Sequence, residues 1–306
     1  MIDRTAYQAK EDFSRAKTKA VFQSIFGLLG IEKKELLPFY DVKELVKSKK
    51  EQYLGMRTIP IHKIVGSEGR YYDFTYSFLP KKQMLRNRWV NIDRAHLSNV
   101  NLPPIQVYKL GGVYFVRDGN HRVSVARTQG VEFIDAEVVE LDSEISIEPG
   151  MTKDKLKRKL LEYERCQFID ILKQHKLDQI MNLREIRFTA PGRYQEVLNH
   201  IFVHKYYMNQ DSAEEISLDT AARSWFEHVY TPIIRIIRSE MILARFVGRT
   251  PGDLYMWVVK HWDDLKHKYG QEYSMEEAAV DYSRKFGVSL WRRILNRLCN
   301  RKTGKS

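Results

Sequence analysis

The spacing of apolar and polar positions predicts alternating helices and strands along the first third of the chain. Residues 4–29 have apolar side chains at helical spacing, and a second, short and lysine-rich helix is expected over 42–53. Residues 57–66 instead alternate between apolar and polar side chains, which is typical of a strand, and Pro60 indicates an edge strand or a strand start. A further helix is expected over 81–99.

The pattern is clearest in the middle of the chain. Gly111-Gly112 separates two strand-like runs and is typical of a two-residue hairpin turn, and Gly130 is typical of a helix C-cap. The expected elements are strands over 105–110 and 113–117, a helix from His121 that is capped by Asn120 and ends at Gly130, and a strand over 131–141. With the earlier segments, they predict a compact β…α…ββαβ unit.

Beyond Pro149-Gly150 the pattern is almost entirely helical. Thr152 is expected to cap a helix that reaches about Leu177, and Thr250 followed by Pro251 is a favourable helix start. The remaining expected elements are a short strand over 185–189 and helices over 191–208, 218–240, 251–268, 275–286 and 288–300. This half is therefore predicted to be all-α.

These elements predict an α+β protein of four parts. The parts are an N-terminal helical arm over 1–53, a small α/β domain over 54–148, an all-α domain over 149–286 and a basic amphipathic tail over 287–306. The sequence contains neither an internal repeat nor a low-complexity linker. The chemistry is expected in the second part, where the strand-to-helix turn lies.

Positive charge is concentrated at the C-terminal end. The formal net charge is +12, and residues 284–306 contain eight basic and no acidic residues. Such a tail suits a polyanion such as DNA, or an anionic lipid surface. The residues expected to make these contacts are Arg292, Arg293, Arg297 and Arg301. Docking of the tail on the protein's own surface is an open alternative.

Cysteine usage and the N-terminal composition predict a cytoplasmic protein. Cys166 and Cys299 are far apart and lack the spacing of a disulfide framework or a zinc site. Acidic residues precede the first apolar stretch, unlike a signal peptide. No window approaches the roughly 20 apolar residues that a membrane-spanning helix needs.

The most informative motif is the run Asp118-Gly119-Asn120-His121-Arg122, where a predicted strand turns directly into a helix. A helix N-terminus has unpaired amides and a partial positive charge, so it favours a bound anion such as phosphate. Arg122 is suited to phosphate oxygens, and His121 is titratable. Asp118 beside a phosphate needs Mg²⁺ or a proton-accepting role. The alternative is a carboxylate that only caps the helix.

The α/β part of the chain resembles the ParB/sulfiredoxin superfamily over less than a third of the sequence. The resemblance is carried by Ile59–Ile64, Pro104–Val107 and Phe115–Arg122. In that superfamily the strand-to-helix turn binds nucleotide phosphate. Partition proteins carry Gly-Glu-Arg-Arg there and sulfiredoxins carry Gly-Cys-His-Arg. Asn120 occupies the place of the sulfiredoxin cysteine, which argues against sulfinic-acid reductase activity. Free serine kinases of this fold carry Asp-Gly-His-His-Arg and differ from this chain only at Asn120.

The resemblance implies that ATP, ADP or CTP, with or without Mg²⁺, binds at Gly119–Arg122 in a regulatory or nucleic-acid-associated protein. Its kinase branch implies an alternative, a phosphotransferase that acts on a small hydroxylated substrate. In that alternative Asp118 is the base or the Mg²⁺ ligand, and Glu68 is a second acid or base. A non-catalytic adaptor is a third possibility. The segment Gly248–Trp257 is similar to uncharacterised bacterial proteins that pair such a module with helices.

Overall fold

A computed structural model of the chain describes residues 4–28, 35–177, 186–210, 212–269 and 274–287. The fold is mixed α+β, as predicted, with one six-stranded sheet and several helices. The chain divides into two compact units, Met1–Leu160 and Leu161–Ser306.

The first unit contains the sheet and four helices that precede or interrupt it. Its elements are α1 (Arg4–Leu28), β1 (Leu37–Pro38), α2 (Phe39–Val46), β2 (Glu51–Pro60), β3 (Ile64–Ser67), α3 (Arg86–Leu97), β4 (Ile105–Leu110), β5 (Val113–Asp118), α4 (Asn120–Thr128) and β6 (Phe133–Leu141). The strands over 105–141 and the intervening helix confirm the sequence prediction within a few residues. Gly111 and Gly112 both have positive φ, which explains why glycines occupy this hairpin turn.

The order of strands in the sheet is β1-β3-β5-β4-β6-β2. β5 pairs with β4 and β6 with β2 in antiparallel fashion, whereas β3 runs parallel to β5 and β4 parallel to β6. Parallel pairing places the carboxyl ends of β3 and β5 side by side: Ser67 lies opposite Val116, and the Glu68 amide donates to the Val116 carbonyl at 2.9 Å. The residues after β3 therefore lie beside the turn between β5 and α4.

The segment between α2 and β3 differs from the prediction. α2 ends at Val46, and residues from Glu51 onward belong to β2 instead of continuing a helix to Tyr53. The single strand expected over 57–66 is two strands separated by a short 3-10 turn at Ile61–Lys63. β2 pairs with β6 along its length, so a distant partner strand sets its extent.

Helix α4 is buried on two sides. Val123 and Ala126 pack with the apolar side chains of the sheet, whereas Val125 packs with Phe13 of α1 and Trp89 of α3. Trp89 is fully buried, and its indole Nε1 donates to Ser124 Oγ at 2.8 Å. This packing holds α4, and with it the β5–α4 turn, against both the sheet and the helices.

The second unit is helical in its described residues, as predicted. Helix α5 (Lys153–Gln174) crosses the division between the units, and the further helices are α6 (Arg193–Gln210), α7 (Leu218–Trp225), α8 (Thr231–Ser239), α9 (Pro251–Tyr269) and α10 (Met275–Phe286). The short strand expected over 185–189 is wrong, because residues 186–190 have no regular structure. The helix expected over 218–240 is present from Leu218 to Ser239, with a five-residue π-helical turn at Phe226–Tyr230 between α7 and α8.

The start of α9 explains the motif around Thr250. Its hydroxyl accepts the Asp253 amide at 3.2 Å, which confirms the predicted cap, and Pro251 is the first helical residue. Asp253 is buried, and its carboxylate accepts the Thr250 amide at 2.9 Å and the Thr189 amide and hydroxyl at 2.9 and 2.8 Å. The segment therefore has a structural role, because Asp253 joins the start of α9 to the chain at Thr189.

Beyond Gly287 the predicted basic tail lies outside the described residues, including Arg292, Arg293, Arg297 and Arg301. Its contact with DNA or lipid stays a prediction, as does the four-part division of the chain. Among the described residues, none of the helices combines the length and the apolar character needed to cross a bilayer.

Candidate functional site

The turn between β5 and α4 is built around a glycine. Gly119 has φ +103°, and a Cβ at this position would lie 2.5 Å from Cγ2 of Ile105. The first intrahelical hydrogen bond runs from the Val123 amide to the Gly119 carbonyl at 3.0 Å. Gly119 is thus the N-cap, and the capping role predicted for Asn120 is wrong because Asn120 is already helical. The three amides before Val123 have no intrahelical acceptor.

A cavity of about 320 Å³ opens at this turn. It brings together every candidate catalytic and phosphate-binding residue of the first unit: Glu68, Asp118, Gly119, Asn120, His121 and Arg122. Glu68 reaches it because β3 lies beside β5 in the sheet. The cavity is also lined by Gly69, Ile92 and three further arginines, so its side chains include four arginines and two carboxylates.

Sequence reasoning missed three arginines that line the cavity, Arg70, Arg88 and Arg117. Arg70 pairs with Asp73 at 3.3 Å, and the Arg117 guanidinium lies 5.8 Å from the centre of the Tyr108 ring. Arg88 has no ion-pair partner among the described residues. Nothing in the sequence distinguishes these arginines from other surface arginines, because strand pairing and the packing of α3 bring them to the turn.

Arg122 is engaged with the protein itself. It forms an ion pair with the Asp118 carboxylate and donates to the carbonyls of Pro103 and Pro104, the latter at 2.7 Å. These contacts tie the segment before β4 to the first turn of α4. A phosphate that bound Arg122 would have to compete with Asp118, so the first-turn amides and the other arginines are the more accessible donors.

Asn120 and His121 present buried polar atoms that lack partners. Only 7% of Asn120 and 4% of His121 is exposed, and Asn120 Oδ1 and His121 Nδ1 have no hydrogen-bond partner among the described residues. A buried polar atom without a partner costs about 1–3 kcal/mol. Both residues line the cavity, and a bound ligand or an ordered water would remove that cost once these side chains turn their polar atoms toward it.

The surroundings of His121 favour its neutral form. Burial, followed by the positive charges of Arg88 and Arg70, lowers the pKa of His121 to about 4. The ring also lies edge-on to Phe74, at 5.4 Å between ring centres. At neutral pH the His121 side chain is therefore an uncharged imidazole, which can donate one hydrogen bond and accept another.

The free energy of unfolding should fall on acidification, because His121 takes up a proton at a higher pH in the unfolded chain than in the folded protein. Its pKa is about 4 when folded and 6.5 when free, so the unfolded state binds more protons between these values and stability is lost as pH falls through this range. At pH 4.5 we expect a loss of about 2 kcal/mol relative to pH 7. Urea unfolding of His121→Gln should lack this part of the pH dependence, whereas His175→Gln, at an exposed position, should retain it. An identical pH dependence in the His121→Gln variant would contradict the assignment.

The two carboxylates of the cavity have protein partners. Glu68 accepts a hydrogen bond from the Tyr40 hydroxyl at 2.6 Å, which raises the pKa of Tyr40, and Asp118 pairs with Arg122. No group of three or more histidine, cysteine, aspartate or glutamate side chains suited to a metal ion occurs in the part of the chain that the structure describes. The Mg²⁺ role of Asp118 stays a prediction.

No protein-family model matches the chain, and no curated protein matches it. Among solved structures, the C2221 form of a Pnob8-like ParB-N domain is similar to it, with 11% sequence identity and a TM-score of 0.21. The match covers 71% of this chain and 83% of that domain. At this TM-score the likeness decides neither the fold family nor the function, so the functional argument depends on the geometry of the site.

Proposed function

We propose that the first unit binds a phosphorylated ligand, specifically a nucleotide, in the cavity at the β5–α4 turn. The observation that carries the proposal is the pair of buried, unpartnered polar atoms, Asn120 Oδ1 and His121 Nδ1, at a helix N-terminus that faces an arginine-lined cavity. The helix N-terminus and the arginines favour an anion with several acceptor oxygens, and the two unpartnered atoms indicate hydrogen-bonding partners that the protein does not supply.

One phosphate group would supply acceptors for the unpaired amides of the first turn of α4. Its oxygens would accept hydrogen bonds from the amides of Asn120, His121 and Arg122. The partial positive charge at this end of the helix also attracts the phosphate. The neutral His121 ring can donate from Nδ1, and a half-turn of the Asn120 side-chain amide presents its NH₂ group to the ligand. His121 Nδ1 would then have a partner, and the Asn120 side chain would face the ligand with its donor end.

The remaining arginines suit additional negative charge. Arg88 and Arg117 line the same cavity without a carboxylate partner among the described residues. A second or third phosphate on the same ligand would neutralise them, which favours a nucleoside di- or triphosphate over a single phosphate. ATP, ADP and CTP are therefore the ligands of choice for a test, in keeping with the resemblance to ParB/sulfiredoxin modules.

The phosphotransferase alternative has less support from the site. Asp118 and Glu68 line one cavity, but the partners of these carboxylates are Arg122 and Tyr40. Asp118 would have to leave Arg122 before it could accept a substrate proton or bind Mg²⁺. Catalysis by either residue stays a prediction, and the proposal is limited to ligand binding.

Substitution of Arg88 should weaken nucleotide binding without unfolding the protein. Arg88 is exposed and lines the cavity, so Arg88→Gln removes one positive charge from the site and little packing. We expect a Kd about tenfold higher, because a hydrogen bond to a charged group contributes about 1.5–3 kcal/mol. Isothermal titration with ATP, ADP and CTP, with and without Mg²⁺, measures the change.

The matched control is Arg158→Gln, which removes the same charge from an exposed position on α5 outside the cavity. It should leave the Kd unchanged at the same ionic strength. If wild type releases no heat with any of the nucleotides, or if both variants weaken binding equally, the proposal is wrong.

A further inference from the structure

A second basic residue of α4, Arg127, lies in the last turn of the helix and has a different environment. Its Nη2 group donates to the carbonyls of Ile61 and Ile64 at 2.8 and 2.6 Å. The guanidinium lies 5.0 Å from the centre of the Phe78 ring. These contacts hold the 3-10 turn between β2 and β3 against α4.

No carboxylate of the described residues compensates this charge. Arg127 forms no ion pair within the described residues, and its Nε is buried without an acceptor. Burial alone lowers the pKa of Arg127 to about 10. Charged groups taken out of water are normally paired with an opposite charge, so a partly buried guanidinium whose partners among the described residues are carbonyls and a ring can still accept a negatively charged ligand.

Two cavities meet at Arg127. One has a volume of about 220 Å³ and the other about 680 Å³, and both are lined by Arg127, His62 and Ser77. Neither cavity shares a lining residue with the one at the β5–α4 turn. The larger volume lies in the range of small-molecule sites. Any ligand here would be independent of the proposed nucleotide.

The walls restrict the ligand's chemistry. The larger cavity has an apolar side formed by Ile61, Leu79, Val131 and Phe133, of which Phe133 is 56% exposed. One glutamate lines each cavity, Glu132 the larger and Glu35 the smaller, and neither pairs with Arg127. These acidic groups would repel a doubly charged phosphate more than a singly charged carboxylate.

We infer that this pair of cavities binds a small carboxylic acid with an apolar body. The carboxylate would accept hydrogen bonds from the Arg127 guanidinium, with His62 and Ser77 on the same walls, and the apolar body would lie against Val131 and Phe133. Charge-assisted bonds to a guanidinium are among the stronger hydrogen bonds in proteins, and burial of the hydrocarbon supplies the remaining affinity.

Octanoate is the probe that tests the inference, because it combines one carboxylate with a short alkyl chain. Isothermal titration of the full chain should show octanoate binding, whereas octanol, which lacks the charge, and acetate, which lacks the chain, should bind at least about tenfold more weakly. Arg127→Gln should weaken octanoate binding by about tenfold or more. The exposed charge removed in Arg158→Gln should have no effect.

Arg127→Gln loses contacts to the β2–β3 turn and could misfold for that reason. A second variant, which leaves these contacts intact, therefore tests the same cavity. Phe133→Ala shortens an exposed side chain of the apolar wall and should weaken octanoate binding several-fold while the circular dichroism spectrum is unchanged. The inference is overturned if wild type does not bind octanoate, if acetate or octanol binds as tightly as octanoate, or if Phe133→Ala or a folded Arg127→Gln binds octanoate like wild type. Nucleotide titration reports on the other cavity, so failure of one proposal is distinguishable from failure of the other.

Discussion

Replacement of Gly119 by alanine is expected to have the largest effect on the candidate nucleotide site. Alanine is disfavoured at φ +103°, and its methyl group would lie 2.5 Å from Ile105 Cγ2 and 2.9 Å from Ile105 Cβ. Backbone strain of about 1–3 kcal/mol adds to an overpacking cost of similar size. The turn must shift to relieve the contact, which moves the first-turn amides of α4 away from the ligand.

Gly130→Ala is the matched control. Gly130 also has positive φ, +74°, but a Cβ there meets no atom within 4 Å. It should therefore show only the conformational cost, about 1–2 kcal/mol, and retain nucleotide binding. Urea unfolding and nucleotide titration of both variants separate backbone strain from the steric clash. Equal losses of stability, or nucleotide binding by Gly119→Ala at wild-type affinity, would contradict the role of the turn.

The second large effect is expected at Trp89, which joins three helices of the first unit. Its side chain is fully buried, contacts Phe13 of α1 at 5.6 Å between ring centres and donates from Nε1 to Ser124 of α4 at 2.8 Å. Trp89→Ala should lower the free energy of unfolding by about 3–5 kcal/mol, because it removes a large buried ring and leaves a cavity. Urea unfolding followed by circular dichroism measures the loss.

Trp89→Phe distinguishes packing from hydrogen bonding at this position. It keeps an aromatic ring but removes the donor to Ser124, so the expected cost is the smaller one of an unpaired buried hydroxyl, about 1–3 kcal/mol. If Trp89→Ala cost no more than Trp89→Phe, the ring would contribute little packing energy. Because Trp89 follows Arg88 in α3, Trp89→Ala should also weaken nucleotide binding through displacement of that arginine.

The predictions that the structure confirms come from segments with strong local sequence signals. Gly111-Gly112 and Gly130 mark turns that require positive φ, and alternation of apolar residues defines β4, β5 and β6 without reference to the rest of the chain. The start of α9 was also predictable, because Thr250 and Pro251 act within one turn of the helix. In these places the local preference agrees with the final structure.

The errors occur where distant contacts override local preference. Residues 51–53 look like the end of a lysine-rich helix, but from Glu51 onward the chain pairs with β6, which lies far along the sequence. Asn120 is a favoured capping residue by type, yet Gly119 takes the cap position because the chain must turn sharply beside Ile105. Helix α2 accordingly ends early, and α4 begins one residue earlier than expected.

The amino-acid sequence by itself determined the local chemistry of this protein: a strand that turns into a helix at Asp118–Arg122, with amides, a histidine and a carboxylate at one point. Only the tertiary structure decided which other side chains join that point. Parallel pairing of β3 with β5 brings Arg70 to the cavity beside Glu68, which the resemblance had already named, and packing of α3 on α4 brings Arg88. It also placed Arg127 in a partly buried position without a counter-ion among the described residues. Spacing along the chain reports on neighbours within a few residues, whereas burial and charge pairing depend on residues that are distant in sequence.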